Sequence, residues 1–151
     1  GAAILFIKRN KLGLLKILDM LVPFIALAQA IGRIGCLLNG CCFGRVSKFG
    51  IYFKVFGQVL IPTQLYSSLF LLLIFFILRF MQERRHAQGM ILCAYLFLYS
   101  VKRFFIEYFR SDSPRIFYGL TLFQALSLAM LSVSLLLFIK ILCDKRSYNE
   151  K

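Results

Sequence analysis

This 151-residue chain predicts an all-α, polytopic transmembrane bundle. About four to five spans are expected, with an outer-face loop over residues 35–60. Two observations carry that expectation. The composition is 60% hydrophobic, with 17 Phe, no Trp and a mean hydropathy of +0.79, more apolar surface than a soluble core of this size needs. Apolar stretches long enough to cross a bilayer also alternate with short basic clusters.

The elements follow in order. Residues 1–7 read as the tail of a helix, followed by the basic loop holding Lys8, Arg9, Lys11 and Lys16. The chain opens at Gly1 without Met, directly in an apolar run, so part of a helix is expected upstream. Residues 17–34 are the next span. Pro23 is tolerated there because neighbouring groups in a bundle satisfy the freed carbonyl. Residues 35–60 are rich in Gly, Cys and Lys and contain the β-type piece Gly50–Phe56, which predicts an extramembrane or interfacial loop with a hairpin. Pro62 opens a helix running through Phe80, Met90–Phe109 is a third span charged at its far end, and Phe117–Cys143 is the last.

The net charge of +13 raises the question of nucleic acid. The basic residues sit between apolar spans rather than in a stripe, so membrane lipid headgroups and topology explain them and no nucleic-acid partner is expected. Alternating loops put nine basic residues, from Lys8 to Lys151, on one side, against Arg45, Lys48, Lys54, Arg110 and Arg115 on the other. The positive-inside rule makes the first side cytoplasmic and the 35–60 loop external.

Two charged features invite chemistry. Arg33 ends a span inside Ile31-Gly32-Arg33-Ile34-Gly35-Cys36-Leu37-Leu38-Asn39-Gly40-Cys41-Cys42-Phe43-Gly44. An ionisable group there faces protein or a wet cavity rather than lipid. In the third span Tyr99, Arg103, Glu107 and Arg110 fall within an arc of about 80°. That face is either a salt-bridged interfacial helix end or an anion site in which Glu107 orients an arginine. Arginine stays charged and grips phosphate through two donors. Lys102 lies off this face and is expected to snorkel. Arg33 and Arg103, at one depth on two helices, are expected to converge on one phosphodiester of a lipid. Gln64 and Tyr66, at the start of the second span, are hydrogen-bond partners in the same site or interfacial anchors, and Gln124 reads as interhelical packing glue.

Five cysteines remain. Cys93 and Cys143 behave as small hydrophobes. Cys36, Cys41 and Cys42 are small residues in a tight loop by default, or else a disulfide, a metal site or nucleophiles. Without a C-x-x-C pair no metal is expected. His86, the single histidine, reads as a solvated loop residue.

Gly32-Arg33-Ile34-Gly35 with Asn39-Gly40 and Gly44, then Pro62-Thr63-Gln64-Leu65-Tyr66, then Arg103-Phe104-Phe105-Ile106-Glu107-Tyr108-Phe109-Arg110, then Gln124 near Ser127, resemble in order and spacing the bacterial prolipoprotein diacylglyceryl transferases. The resemblance runs nearly the whole chain. It implies one membrane domain over residues 1–151, lacking earlier helices and a His-Gly-Gly segment that the family carries. It further implies a multi-pass enzyme of the bacterial inner membrane, in lipoprotein biogenesis. The reaction would move diacylglycerol from phosphatidylglycerol to the lipobox cysteine of a prolipoprotein, releasing glycerol phosphate, with no cofactor. By motif match Arg33, Arg103 and Glu107 are the catalytic set. Asn39, Gly40, Tyr99, Gln64, Tyr66 and Arg110 line the substrate, with Tyr99 supporting Arg103. The family usually has Asn at position 36, an acid at 41 and His at 61, where this chain has Cys36, Cys41 and Ile61. A non-catalytic lipid-binding membrane protein that keeps the arginine clamp is the alternative reading.

Overall fold

In apolar surroundings a backbone must satisfy its own hydrogen bonds, and this chain does so mainly as helix. The computed structural model describes residues 13–53, 57–110, 115–117 and 120–149. Within them the order is α1 (Leu14–Leu38), β1 (Val46–Phe53), β2 (Gln58–Leu60), α2 (Thr63–Gln82), α3 (Met90–Phe109), β3 (Arg115–Phe117), β4 (Leu120–Thr121) and α4 (Leu122–Asn149). The expected helix tail at residues 1–7 lies outside the described residues.

Among the described residues three helices are long and apolar enough to cross a membrane: Leu14–Leu38, Thr63–Gln82 and the Leu122–Cys143 part of α4. Helix α3 matches α2 in length at 20 residues but carries Lys102, Arg103 and Glu107, and it is not among them. Two boundaries differ from expectation. Helix α1 continues through Gly35 to Leu38, so the first four residues of the expected 35–60 loop are helical. Glycine weakens a helix in water, but in a bundle each lost turn would strand carbonyls, and the helix persists. Helix α4 starts at Leu122 rather than Phe117, because residues 115–117 and 120–121 pair as a short antiparallel ribbon. The expected hairpin is present, with Tyr52 opposite Val59, Phe53 opposite Gln58, and a register break between Val46 and Ile51.

Burial is inverted relative to a soluble domain. Large apolar side chains such as Phe24, Leu69, Phe76, Phe80, Leu136 and Ile139 are exposed, whereas Ala26, Ala30, Ser67, Ser68, Ser100, Ser127 and Ser134 are buried. Small and hydroxyl residues let helices approach closely where lipid removes the hydrophobic drive between them. Helix α1 packs along α2, α3 along α4, and α3 also touches α2 and α1. Polar bonds cross these seams: Ser68 Oγ donates to the Ala30 carbonyl at 2.9 Å, and Tyr95 OH to Gln29 Oε1 at 3.0 Å. Each contributes on the order of 0.6 kcal/mol in a membrane. Val22, Ala26, Ile74, Leu78, Ile91 and Tyr95 form the apolar core beside them.

No local sequence pattern marks Asp19. It is buried within α1, and its carboxylate accepts the Gly89 N–H at 2.6 Å and the Leu92 N–H at 2.9 Å. It therefore caps the N-terminus of α3, where orphan donors and the positive end of the helix dipole favour an anion. Gly89 sits at φ 86°, which only glycine adopts freely. This cap fixes α3 against α1 at the end of the bundle opposite Arg103.

Candidate functional site: a cation cluster at one end of the bundle

Antiparallel packing brings the C-terminal ends of α1 and α3 together with the N-terminal ends of α2 and α4. Glu107 is the centre of what collects there. It is 1% exposed, with Oε2 at 3.5 Å from Arg103 Nη2 and 4.0 Å from Arg110 Nε. Its Oε1 accepts from Thr121 Oγ1 at 3.3 Å. The Arg103 guanidinium stacks over the Phe123 ring at 4.5 Å, so ring and carboxylate fix its plane.

Thr121 reaches Glu107 because it caps α4. The Gln124 N–H donates to Thr121 Oγ1 at 3.2 Å, and the Thr121 N–H donates back to Gln124 Oε1 at 3.0 Å. This is a capping box, Thr-x-x-Gln. It revises the expectation for Gln124, whose side chain closes its own helix end instead of bridging helices. The pattern was visible in Thr121-Leu122-Phe123-Gln124.

Lys102 also departs from expectation. It is 5% exposed, donates to Ser67 Oγ at 3.3 Å, and sits over the Tyr99 ring at 4.5 Å. The face of α3 next to the arginine arc is covered by α2, so leaving that arc does not lead to lipid or water. Tyr99 thus supports Lys102 through its ring. Arg33, half-exposed near the end of α1, lies within electrostatic reach of both Lys102 and Arg103. Arg103 and Arg110 share the one carboxylate of Glu107, and Arg33 and Lys102 add charge in reach of Arg103, so the cluster keeps a positive excess suited to a phosphate.

A model of the prolipoprotein diacylglyceryl transferase family matches residues 1–140. The chain belongs to this family. It is similar to phosphatidylglycerol–prolipoprotein diacylglyceryl transferase 2 of Clostridium perfringens, 38% identical over 95% of this chain and 59% of that protein. It is 36% identical to the Campylobacter hominis phosphatidylglycerol–prolipoprotein diacylglyceryl transferase over 99% of this chain and 54% of that protein. The corresponding Clostridium tetani protein is 39% identical over 74% of this chain and 47% of its own. The chain spans about half the length of the curated relatives it matches. No solved structure matches it.

The remaining candidate residues lie around the ends of the helices. Gln64 is 1% exposed at the start of α2, and its Nε2 donates to the Cys41 carbonyl at 2.5 Å. Its Oε1 is buried without a hydrogen-bond partner among the described residues. Thr63 Oγ1 donates to the Cys42 carbonyl at 2.7 Å, so the first turn of α2 grips the cysteine loop. A side chain at Gly44 would meet the Phe109 carbonyl and Thr63, and Gly44 bridges to Arg110, which tucks this loop under the end of α3. Asn39 is exposed and ends α1, and Gly40 beside it takes φ 66°. Tyr66 lines an apolar groove of about 490 Å³ with Phe70, Phe105, Ile106 and Phe109. His86 is exposed, its Nδ1 2.7 Å from the Arg84 carbonyl, at the far end of α2 from Gln64.

Proposed function

We propose that the full-length protein transfers diacylglycerol from phosphatidylglycerol to the lipobox cysteine thiol of a prolipoprotein. The observation that carries this reading is the buried Glu107 carboxylate flanked by Arg103 and Arg110, with Arg33 and Lys102 in electrostatic reach of Arg103 or beside it in α3. The relatives that share this chain's sequence are named for that reaction.

In the proposed chemistry the cysteine thiol gives its proton to a base and attacks the glyceryl carbon. A C–S thioether bond forms, the C–O bond to phosphate breaks, and glycerol phosphate leaves. Negative charge grows on the departing phosphate, where fixed guanidinium donors stabilise it more than they stabilise the bound lipid. Arg33 and Arg103 bind the phosphate, and Glu107 orients Arg103 and Arg110. Asn39, Gly40 and Gln64 shape the headgroup pocket, Tyr99 positions Lys102, and the groove at Tyr66 takes an acyl chain. No cofactor takes part in this scheme. We place the protein as a single membrane domain with four to five spans in the bacterial inner membrane, with the loop after α1 on the outer face.

The test is turnover of the purified full-length protein with phosphatidylglycerol vesicles and a fluorescent lipobox peptide. The expected result is a thioether adduct with glycerol phosphate released one for one. Lipid binding without adduct would favour a lipid-binding protein that keeps the clamp. Neither binding nor adduct would end both readings.

A further inference from the structure

Three thiols gather where α1 ends, and the proposed reaction uses none of them. The helix closes with two backbone bonds: the Gly40 N–H donates to the Leu37 carbonyl at 3.2 Å, and the Cys41 N–H donates to the Cys36 carbonyl at 3.1 Å. With Gly40 at φ 66°, this is a Schellman motif. That motif folds the residue after the glycine back over the residue five positions earlier, and the two side chains meet. In most helices the pair is apolar. Here it is Cys36 and Cys41.

The Cys41 thiol donates to the Cys36 carbonyl at 3.6 Å, which lays it against Cys36, and the Cys36 and Cys42 thiols are both close enough to influence it electrostatically. All three are free and half-buried, open to a small reagent. Gln64 and Thr63 hold the carbonyls of Cys41 and Cys42, so the loop keeps this arrangement.

We infer that Cys36 and Cys41 are a redox-active pair that closes to a disulfide across the end of α1, with a small or protein disulfide as the oxidant. One thiolate of the pair attacks a sulfur of the oxidant, forming a mixed disulfide and expelling one thiolate. The second thiolate of the pair attacks the mixed disulfide at the protein sulfur, forming the Cys36–Cys41 bond and expelling the other. The two thiol protons end on the two expelled thiolates, and two electrons pass from the pair to the oxidant. Cys42 is not the partner of Cys41. Adjacent α-carbons are about 3.8 Å apart, short of the roughly 4.4–6.8 Å of a relaxed disulfide. Asn39 and Gly40 lie inside the ring that closes, so the oxidation state sets how freely that segment moves.

The experiment equilibrates the intact protein in nanodiscs with oxidised glutathione, alkylates it with N-ethylmaleimide, and maps the tryptic peptide Ile34–Arg45 without reduction. The expected product has lost two hydrogens and carries one label, on Cys42. Cys42→Ser should still close, while Cys36→Ser and Cys41→Ser should lose the closed form with an unchanged helical circular dichroism spectrum. Three labels on the wild-type peptide, a label on Cys36 with Cys41 joined to Cys42, or closure persisting in Cys36→Ser would each overturn the assignment.

Discussion

Replacing Glu107 by Gln is the sharpest test of how the cation cluster is organised. The substitution keeps the volume and an acceptor for the Thr121 hydroxyl, 3.3 Å away. It removes only the charge that faces Arg103 at 3.5 Å and Arg110 at 4.0 Å. At such distances each pair is worth about 4 kcal/mol gross at an effective dielectric of 20. The arginine side chains keep 14% and 12% exposure, so water screens part of this. Breaking a buried pair from one side typically costs about 3–5 kcal/mol, and screening places this case at about 3 kcal/mol of stability. The loss should show as a lower thermal midpoint in detergent. The catalytic signature is separate. An uncompensated cluster attracts phosphate at least as strongly, so KM for phosphatidylglycerol should stay level or fall. Arg103, without its carboxylate, no longer holds its plane, and kcat should drop about 100-fold, the usual loss for one donor to a developing oxyanion. The assay is lipidation turnover on a fluorescent lipobox peptide, read beside thermal unfolding. A near-normal kcat with a lowered midpoint would mean that Glu107 serves only the fold and that its orienting role is wrong.

Arg103→Lys should lower turnover nearly as much as Arg103→Ala, about 100-fold, because an ammonium neither stacks flat on Phe123 nor spans Glu107 and two phosphate oxygens; near-normal turnover in the lysine variant would reduce the role to charge. Lys102→Met should leave the thermal midpoint unchanged or higher, since it removes a buried cation whose described contacts are a serine and a ring. The same variant should slow turnover by about tenfold if that cation serves the phosphate, and unaltered kinetics would take Lys102 out of the site. Asp19→Ala should destabilise the protein by about 2 kcal/mol in thermal or denaturant unfolding, because two backbone donors of α3 lose their acceptor. Its KM should not move. Burial, with the neighbouring Cys36 and Cys42 thiols, pushes the Cys41 thiol above its ordinary range and so keeps it protonated at neutral pH. Maleimide should then modify Cys41 more slowly than an unperturbed cysteine peptide at pH 7, with the gap closing as pH rises; equal rates at pH 7 would show that the thiol is not held back.

What the linear chain determined by itself was local. Hydropathy runs marked α1, α2 and α4, because an apolar run of spanning length has few alternatives to a helix. The β-type piece at Gly50–Phe56 foretold the hairpin, and helical spacing put Arg103, Glu107 and Arg110 on one face. Two further devices are equally local, the Thr121–Gln124 capping box and the Asn39-Gly40 ending of α1, since both are contacts within a few residues. Packing decided the rest. A helical arc ranks positions by angle on one helix, but α3 is covered on more than one side, so Lys102 is buried although it lies off the arginine arc. Asp19 reads as a stray charge in an apolar run until α3 arrives, 70 residues later, with two N–H groups that need an acceptor. Arg33 comes within electrostatic reach of Lys102 and Arg103 because α1 and α3 end on the same side of the bundle. Periodicity along a chain carries no information about which foreign surface each face will meet, and burying a charge depends on that surface.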